Sequence, residues 1–98
     1  MTDSTPEVDR EVRRRRRIRF RAWHRGTREM DLLMGGFADA ALSRLNDAEL
    51  DEFEHLLDLP DPLVFAWLAG FEDAPAAEDT AVLKKVRAFR VHEAPFHV

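Results

Sequence analysis

The sequence predicts an all-α protein, a compact single-domain bundle of about five helices. Apolar residues recur at three- and four-residue spacing along most of the chain, and residues that favour helix caps precede these segments. Period-2 alternation, Asn-Gly turns and β-branched clusters, which would indicate strands, are missing. The 98 residues make about one small domain, which buries about two-thirds of its unfolded surface and leaves little interior for an enclosed active site.

The first predicted helix begins at Thr5, a plausible N-cap that precedes a proline. Up to position 17 its only apolar side chains are Val8 and Val12, so this part has no strong reason to pack. Residues 1–16 are therefore predicted to form a charged, frayed N-terminal extension. Gly26 is expected to end the helix.

Thr27 is expected to cap the second helix, which has the clearest amphipathic pattern in the chain and continues to Leu45. Gly35 and Gly36 lie inside this pattern, and each costs about 1 kcal/mol relative to alanine in a helix. The pair is expected either to weaken the helix locally or to let another backbone come close.

The later helices are predicted from their starts and ends. Asn46 with Glu49 has the spacing of a capping box for the third helix, and Thr80 is expected to open the fifth. The fourth, with Asp61 as its cap and Gly70 at its end, is a short helix that is apolar all round. We therefore assign it to the centre of the fold, with these side chains in the core: Leu63, Phe65, Trp67 and Leu68. Residues 17–91 are predicted to form the helical domain, and residues 92–98 a flexible C-terminal tail.

The charges are divided along the chain. Ten of the fifteen basic residues lie between Arg10 and Arg28, whereas thirteen acids lie between Asp31 and Asp79, and the net charge is −4. The arginine run from Arg13 to Arg17 suggests an alternative function, a small basic-helix nucleic-acid-binding module. Five consecutive arginines point around most of a helix and do not form one groove-facing stripe, so this interpretation ranks second.

Other site classes have little support. The four histidines never occur at the i, i+4 spacing of a helical metal pair, and there is no cysteine, so we predict no metal site. No serine stands at a diagnostic spacing from a histidine and an acid, and no glycine-rich phosphate loop follows a strand, so we predict no catalytic residue and no stably bound cofactor. No membrane span or targeting segment is apparent, which predicts a cytoplasmic protein without membrane insertion.

Two short motifs in the sequence match the pattern of a known protein family. The segment Arg25-Gly26-Thr27-Arg28-Glu29 fits the Arg-Gly-x-x-Glu signature, and Asp61-Pro62-x-x-Phe65-x-Trp67-Leu68 follows it at the expected distance. In order and spacing, over about residues 17–90, the chain resembles the family of succinate dehydrogenase flavinylation factors, or FAD assembly factors.

The resemblance implies a five-helix, non-enzymatic assembly factor or chaperone. Its partner would be the immature flavoprotein subunit of succinate dehydrogenase, with fumarate reductase as a second candidate, and it would promote covalent attachment of FAD to that client. The factor itself would bind no cofactor stably and would be a monomer when free. A third alternative, a small flavin-binding protein, would be yellow when purified.

The resemblance also implies the partner-binding residues. Arg25, Gly26 and Glu29 match the signature, and their neighbours are included with them: His24, Arg28, Met30 and Asp31. A glycine between two helices lets a partner's backbone approach closely. Arg25 and Glu29 would flank that gap and orient the partner through charge-assisted hydrogen bonds, although a local ion pair or helix cap is the alternative role for both.

Overall fold

The computed structural model describes residues 5–92 and contains five α-helices within that range. The helices are α1 (Pro6–Trp23), α2 (Arg28–Ala41), α3 (Asp47–Asp58), α4 (Asp61–Ala69) and α5 (Ala81–His92). Short 3-10 turns, Leu42–Arg44 and Ala76–Glu78, lie between α2 and α3 and between α4 and α5. The predicted all-α bundle is confirmed over these residues, none of which lies in a strand.

The local signals for helix ends are mostly confirmed. The side chains of Thr5 and Thr27 each accept a hydrogen bond from the backbone N–H three residues on, and Asn46 and Glu49 form the predicted reciprocal capping box. Gly70 follows α4 in a left-handed conformation with φ +82°. These ends depend on neighbouring residues alone, which is why the sequence predicts them.

Helix α1 crosses position 16 without a break, and polar contacts hold its first half against the domain. Arg14 Nη2 donates hydrogen bonds to Glu54 (2.5 Å) and Asp51 (2.6 Å) on α3, and these bonds raise the pKa of the guanidinium. The division at residues 16 and 17 stays a prediction. Residues 93–98 of the predicted tail lie outside the described residues.

The core lies between the helices and is entirely apolar. Helices α1 and α2 pack along each other, while α5 contacts α2, α3 and α4. Phe37 of α2 lies at the centre, with its ring centroid 5.4 Å from that of Phe53 and 6.0 Å from that of Phe89. Among residues 5–92 no polar or charged residue is buried. Specificity in this core therefore comes from the shapes of apolar side chains.

Helix α4 was predicted to lie in the centre of the fold with four side chains in the core. The prediction was wrong for two of the four. Trp67 and Leu68 are buried as predicted, but Leu63 is 37% exposed and Phe65 is only half buried. The main neighbour of α4 is α5, which covers one side of the helix. The opposite side remains at the surface, because α4 lies at the edge of the bundle.

Two predicted helix ends also need correction. Helix α1 ends at Trp23, three residues before Gly26, and His24 occupies its C-cap position. The N-cap of α4 is Pro60, with no side-chain cap bond, and Asp61 lies in the first turn. Asp61 lies one position inside the helix and is therefore not its cap, and its Oδ1 atom accepts hydrogen bonds from Arg25.

The glycine pair of α2 was expected to weaken the helix or admit a backbone, and it does neither. Helix α2 is continuous, and the indole ring of Trp23 lies directly against Gly35. A Cβ atom at Gly35 would lie 2.2 Å from Trp23 Cδ2, whereas one at Gly36 would lie 3.2 Å from the edge of the Phe89 ring. The missing side chain at Gly35 therefore makes room for an aromatic ring from the preceding helix.

Candidate functional site

The loop between α1 and α2 carries the first motif and is fixed by hydrogen bonds from within the protein. Asp31 Oδ1 accepts from the backbone N–H groups of Arg25 and Gly26, the latter at 3.2 Å. Thr27 Oγ1 accepts from the N–H of Met30 at 3.3 Å and starts α2. A carboxylate that binds two successive N–H groups holds a tight turn in one conformation.

Gly26 occupies the outermost position of this loop. Its φ of +109° lies in a region that residues with a Cβ rarely adopt, so the backbone alone favours glycine there. The residue is exposed, and a Cβ atom built on it would have no atom within 4 Å. The backbone at Gly26 is therefore both rigidly held and open to an approaching partner.

Arg25 points inward. Its Nε and Nη2 atoms donate to Asp61 Oδ1 at 3.0 and 2.9 Å, and Nη2 also donates to the carbonyl oxygen of Leu57 at 2.8 Å. The side chains of Arg25 and Asp61 are only 13% and 17% exposed. The guanidinium thus ties the α1–α2 loop to the junction of α3 and α4, as in the local ion pair that was the alternative role. A direct contact of Arg25 with a partner stays a prediction.

Glu29 and Arg28 point outward from the first turn of α2. Both are exposed, and within residues 5–92 neither forms an ion pair or a side-chain hydrogen bond. Their charges therefore face solvent, and the role of Glu29 in partner binding stays a prediction. A carboxylate near a helix start is also favoured by the helix dipole.

The other predicted neighbours divide between surface and core. His24 is exposed and stacks on the exposed ring of Phe20, with 3.9 Å between ring centroids. Met30 is buried, with 3% of its surface exposed. Asp31 is half buried, and its carboxylate accepts hydrogen bonds from the loop backbone. The exposed members of the predicted set are thus His24, Gly26, Arg28 and Glu29.

The second motif lies next to the first in the folded protein. An open depression of about 220 Å³ lies between the first turns of α2 and α4. Its walls contain Thr27, Glu29, Met30, Asp61, Pro62 and Phe65. Sequence reasoning assigned Phe65 to the core and missed Pro62 as a surface residue. The signal that was available is the joint presence of the two motifs, which indicated that they act together.

The arginine run and the two arginines that follow it are divided between contacts within the protein and the free surface. Besides Arg14, Arg15 donates to the carbonyl oxygens of Leu42 and Leu45, while Arg19 and Arg21 pair with carboxylates on α2 and α3. Arg13, Arg16 and Arg17 are exposed. About half of this charge is thus neutralised by the acidic domain, which weakens the case for a nucleic-acid-binding surface.

Over residues 5–92, no three His, Asp or Glu side chains lie close enough together to bind a metal ion. In the same range no helix has the length and apolar character needed to cross a membrane.

The part of the chain that is similar to known proteins includes both motifs. Residues 16–90 match the family described as flavinator of succinate dehydrogenase. An FAD assembly factor of Acetobacter pasteurianus is 42% identical over 73 residues, which are 74% of this chain and 67% of that protein. An FAD assembly factor of Coxiella burnetii is 32% identical over 72 residues, or 74% of this chain and 87% of the relative.

A mitochondrial relative shows the same similarity over a smaller share of its length. Succinate dehydrogenase assembly factor 2 of Dictyostelium discoideum is 34% identical over 73 residues, and the match covers 52% of that protein. The matched region of this chain, residues 16–90, contains both motifs and the five helices apart from the first turns of α1 and the end of α5. The chain is therefore a member of the family of flavinators of succinate dehydrogenase.

Proposed function

We propose that this protein is a non-enzymatic assembly factor that binds the immature flavoprotein subunit of succinate dehydrogenase and promotes covalent attachment of FAD to a histidine of that client. The family supports the role, and the loop at Gly26 supports the means. That loop is fixed from inside by Asp31 and Arg25, while at its outermost residue, Gly26, no side chain projects and no atom lies within 4 Å of the Cβ position. This combination of a rigid backbone and an unobstructed surface is the observation that carries the proposal.

The mechanism is selection of a client conformation. By binding the client in the state that holds the flavin next to its acceptor histidine, the factor lowers the entropic cost of bond formation. The bond itself forms between client and flavin, so the factor contributes no reacting group. A preformed surface is suited to this task, because little of its binding energy is lost in ordering itself.

The proposal has further features. The factor holds no FAD stably and acts as a monomer in the cytoplasm, and fumarate reductase is its second client. Purified protein should consequently be colourless, with no flavin absorbance in the visible range. A stoichiometric flavin in the purified protein would instead support a flavin-binding function.

The direct test is reconstitution from purified components. The apo flavoprotein subunit is incubated with FAD, with and without this protein, and covalent flavin is read as fluorescence of the client band on a denaturing gel. We expect the factor to increase the rate of covalent attachment. If the protein binds the client but covalent attachment of FAD is equally fast with and without it, the proposed role is wrong.

A further inference from the structure

Residues of both motifs line the depression between α2 and α4. Thr27, Glu29 and Met30 come from the first motif region, and Asp61, Pro62 and Phe65 come from the second. Thr27 is also the residue next to Gly26 in the loop, so the depression adjoins the exposed backbone of the proposed client surface. The two features therefore lie on a single continuous face.

The size of the depression limits what it binds. Its volume of about 220 Å³ lies below the roughly 300–1,000 Å³ of clefts that enclose small-molecule ligands, and it is open to solvent. A dinucleotide such as FAD is too large for it. A single protruding side chain of a partner protein is a better match.

The walls favour an apolar side chain. The apolar lining of the depression consists of exposed Pro62, half-buried Phe65 and the nearly buried Met30. The guanidinium of Arg90 lies 5.9 Å from the centroid of the Phe65 ring. Phe71 is 76% exposed and lies edge-on to Phe65, with 6.2 Å between ring centroids. Exposed aromatic side chains next to a pocket are typical of the centre of a protein interface.

Two carboxylates border the depression, and only that of Glu29 is free of an ion pair among residues 5–92. Glu29 is also exposed to solvent. Asp61 stands opposite, with Oδ1 engaged by Arg25. A partner that places a lysine or arginine at this rim would gain a complementary charge, whereas an acidic neighbour would be repelled.

We propose that the depression is an anchor pocket that takes one apolar side chain of the flavoprotein client, and that Glu29 pairs with a lysine or arginine next to that side chain. The inference rests on the proposed function and adds the chemistry of the docking segment. It also gives the second motif a role in binding, through Pro62 and Phe65, in addition to its role in the core.

The pocket is tested by measuring the affinity for the apo flavoprotein subunit by calorimetry. Phe65→Ala removes an apolar wall and Glu29→Lys reverses the rim charge; each should weaken binding by about tenfold or more, as truncation of interface anchors typically does. Phe65→Leu should restore most of the affinity. The matched controls are Val91→Ala, an exposed apolar residue on α5, and Glu7→Lys, an exposed acid at the far end of α1; both should bind within about twofold of the original protein.

A second measurement does not depend on altering a wall of the pocket. The photo-cross-linking amino acid p-benzoylphenylalanine replaces Phe71, whose exposed ring leaves room for it. The cross-linked client peptide should contain an apolar residue within two positions of a lysine or arginine. A peptide without that pattern, or no cross-link in a complex that forms normally, would overturn the proposal.

The outcomes also separate this inference from the proposed function. If Gly26→Arg abolishes binding while Phe65→Ala and Glu29→Lys leave the affinity unchanged, the anchor pocket is wrong and the assembly function stands. If the original protein does not bind the client at all, both are wrong.

Discussion

The two glycine sites of this protein, Gly26 and Gly35, use the absence of a side chain for opposite purposes. Gly35 is buried inside α2, and its missing Cβ makes room for the ring of Trp23. Gly26 lies in the exposed loop, where a Cβ would meet nothing within 4 Å. The space at Gly35 is filled by the protein itself, whereas the space at Gly26 is left for a partner.

The comparison separates residues that form the fold from residues that form the surface. The region around Gly35 depends on apolar packing, which transmits any change of volume to its neighbours. The loop at Gly26 depends on polar bonds from Asp31 and Arg25, and its outer face is under no packing constraint. A substitution should therefore disturb core packing at the first site, whereas at the second it should bear only the backbone cost of a positive φ and should act mainly on client binding.

The largest expected loss of packing is at Gly35. Gly35→Ala would place Cβ 2.2 Å from Trp23 Cδ2, so the indole must move and lose its packing and its bond to Asp39. Overpacking of this kind costs about 1–3 kcal/mol, and the gain of up to about 1 kcal/mol in helix propensity only partly offsets the loss. We expect a net loss of about 2 kcal/mol in the free energy of unfolding, measured by urea denaturation.

Gly36→Ala is the matched control in the same helix. Its Cβ would lie 3.2 Å from an edge atom of the Phe89 ring, a contact that a small ring movement relieves. We expect its free energy of unfolding to remain within about 1 kcal/mol of the original value, because the propensity gain opposes the tighter contact. If Gly35→Ala proves as stable as Gly36→Ala, the claim that Gly35 is needed to make room for the Trp23 ring is wrong.

The next effect is at Arg25, where loss of the guanidinium removes three hydrogen bonds that hold the loop. Arg25→Met should lower the free energy of unfolding by about 1–2 kcal/mol and speed hydrogen exchange at the amide of Gly26, because Asp61 is left half buried without its partner. Arg21→Met is the control, since its pair with Asp58 is exposed and should contribute less than about 1 kcal/mol.

The same variants show whether Arg25 acts by position or by contact. If it positions the loop, Asp61→Asn should speed hydrogen exchange at the Gly26 amide as Arg25→Met does, and client binding should weaken in both. Exchange is the deciding measurement, because Asp61 also lines the depression. Binding lost in Arg25→Met alone, with Asp61→Asn unchanged in affinity and loop exchange, would mean that the guanidinium contacts the client directly.

The smallest effects extend the comparison to the arginine run, where inward and outward positions also differ. Arg14→Ala removes bonds to Glu54 and Asp51 and should cost about 1 kcal/mol, whereas Arg13→Ala at an exposed position should change stability by less than about 0.5 kcal/mol and leave flavinylation normal. Denaturation and the flavin gel measure the two quantities. Salt-resistant, sequence-selective DNA binding that is lost in Arg13→Ala would favour the nucleic-acid alternative instead.

The sequence predicted the features that depend on neighbouring residues. Thr27 as a cap and the box of Asn46 with Glu49 follow from spacing within one turn. The Arg25–Asp61 pair joins residues 36 positions apart, and nothing in local spacing indicates it. The inward direction of Arg25 could therefore not be predicted, although both residues were singled out through their motifs.

The errors at α4 and Gly35 have one physical cause. Composition shows that a helix is apolar or that a glycine is present, but the neighbouring element decides whether that surface is buried. Phe65 remains at the surface because α5 covers only one side of α4, and Gly35 meets a ring because α1 places Trp23 there. Such neighbours follow from tertiary packing, which no local pattern records.

The most direct test of the account compares Gly26→Arg with Gly26→Ala. Both variants bear the same cost of a positive φ, about 1–3 kcal/mol, but only arginine projects a long side chain into the space above the loop. With both proteins folded by circular dichroism, we predict that Gly26→Arg abolishes covalent flavin on the client band and Gly26→Ala retains most of it. Normal client flavin with folded Gly26→Arg would contradict the claim that this loop is the client-binding surface.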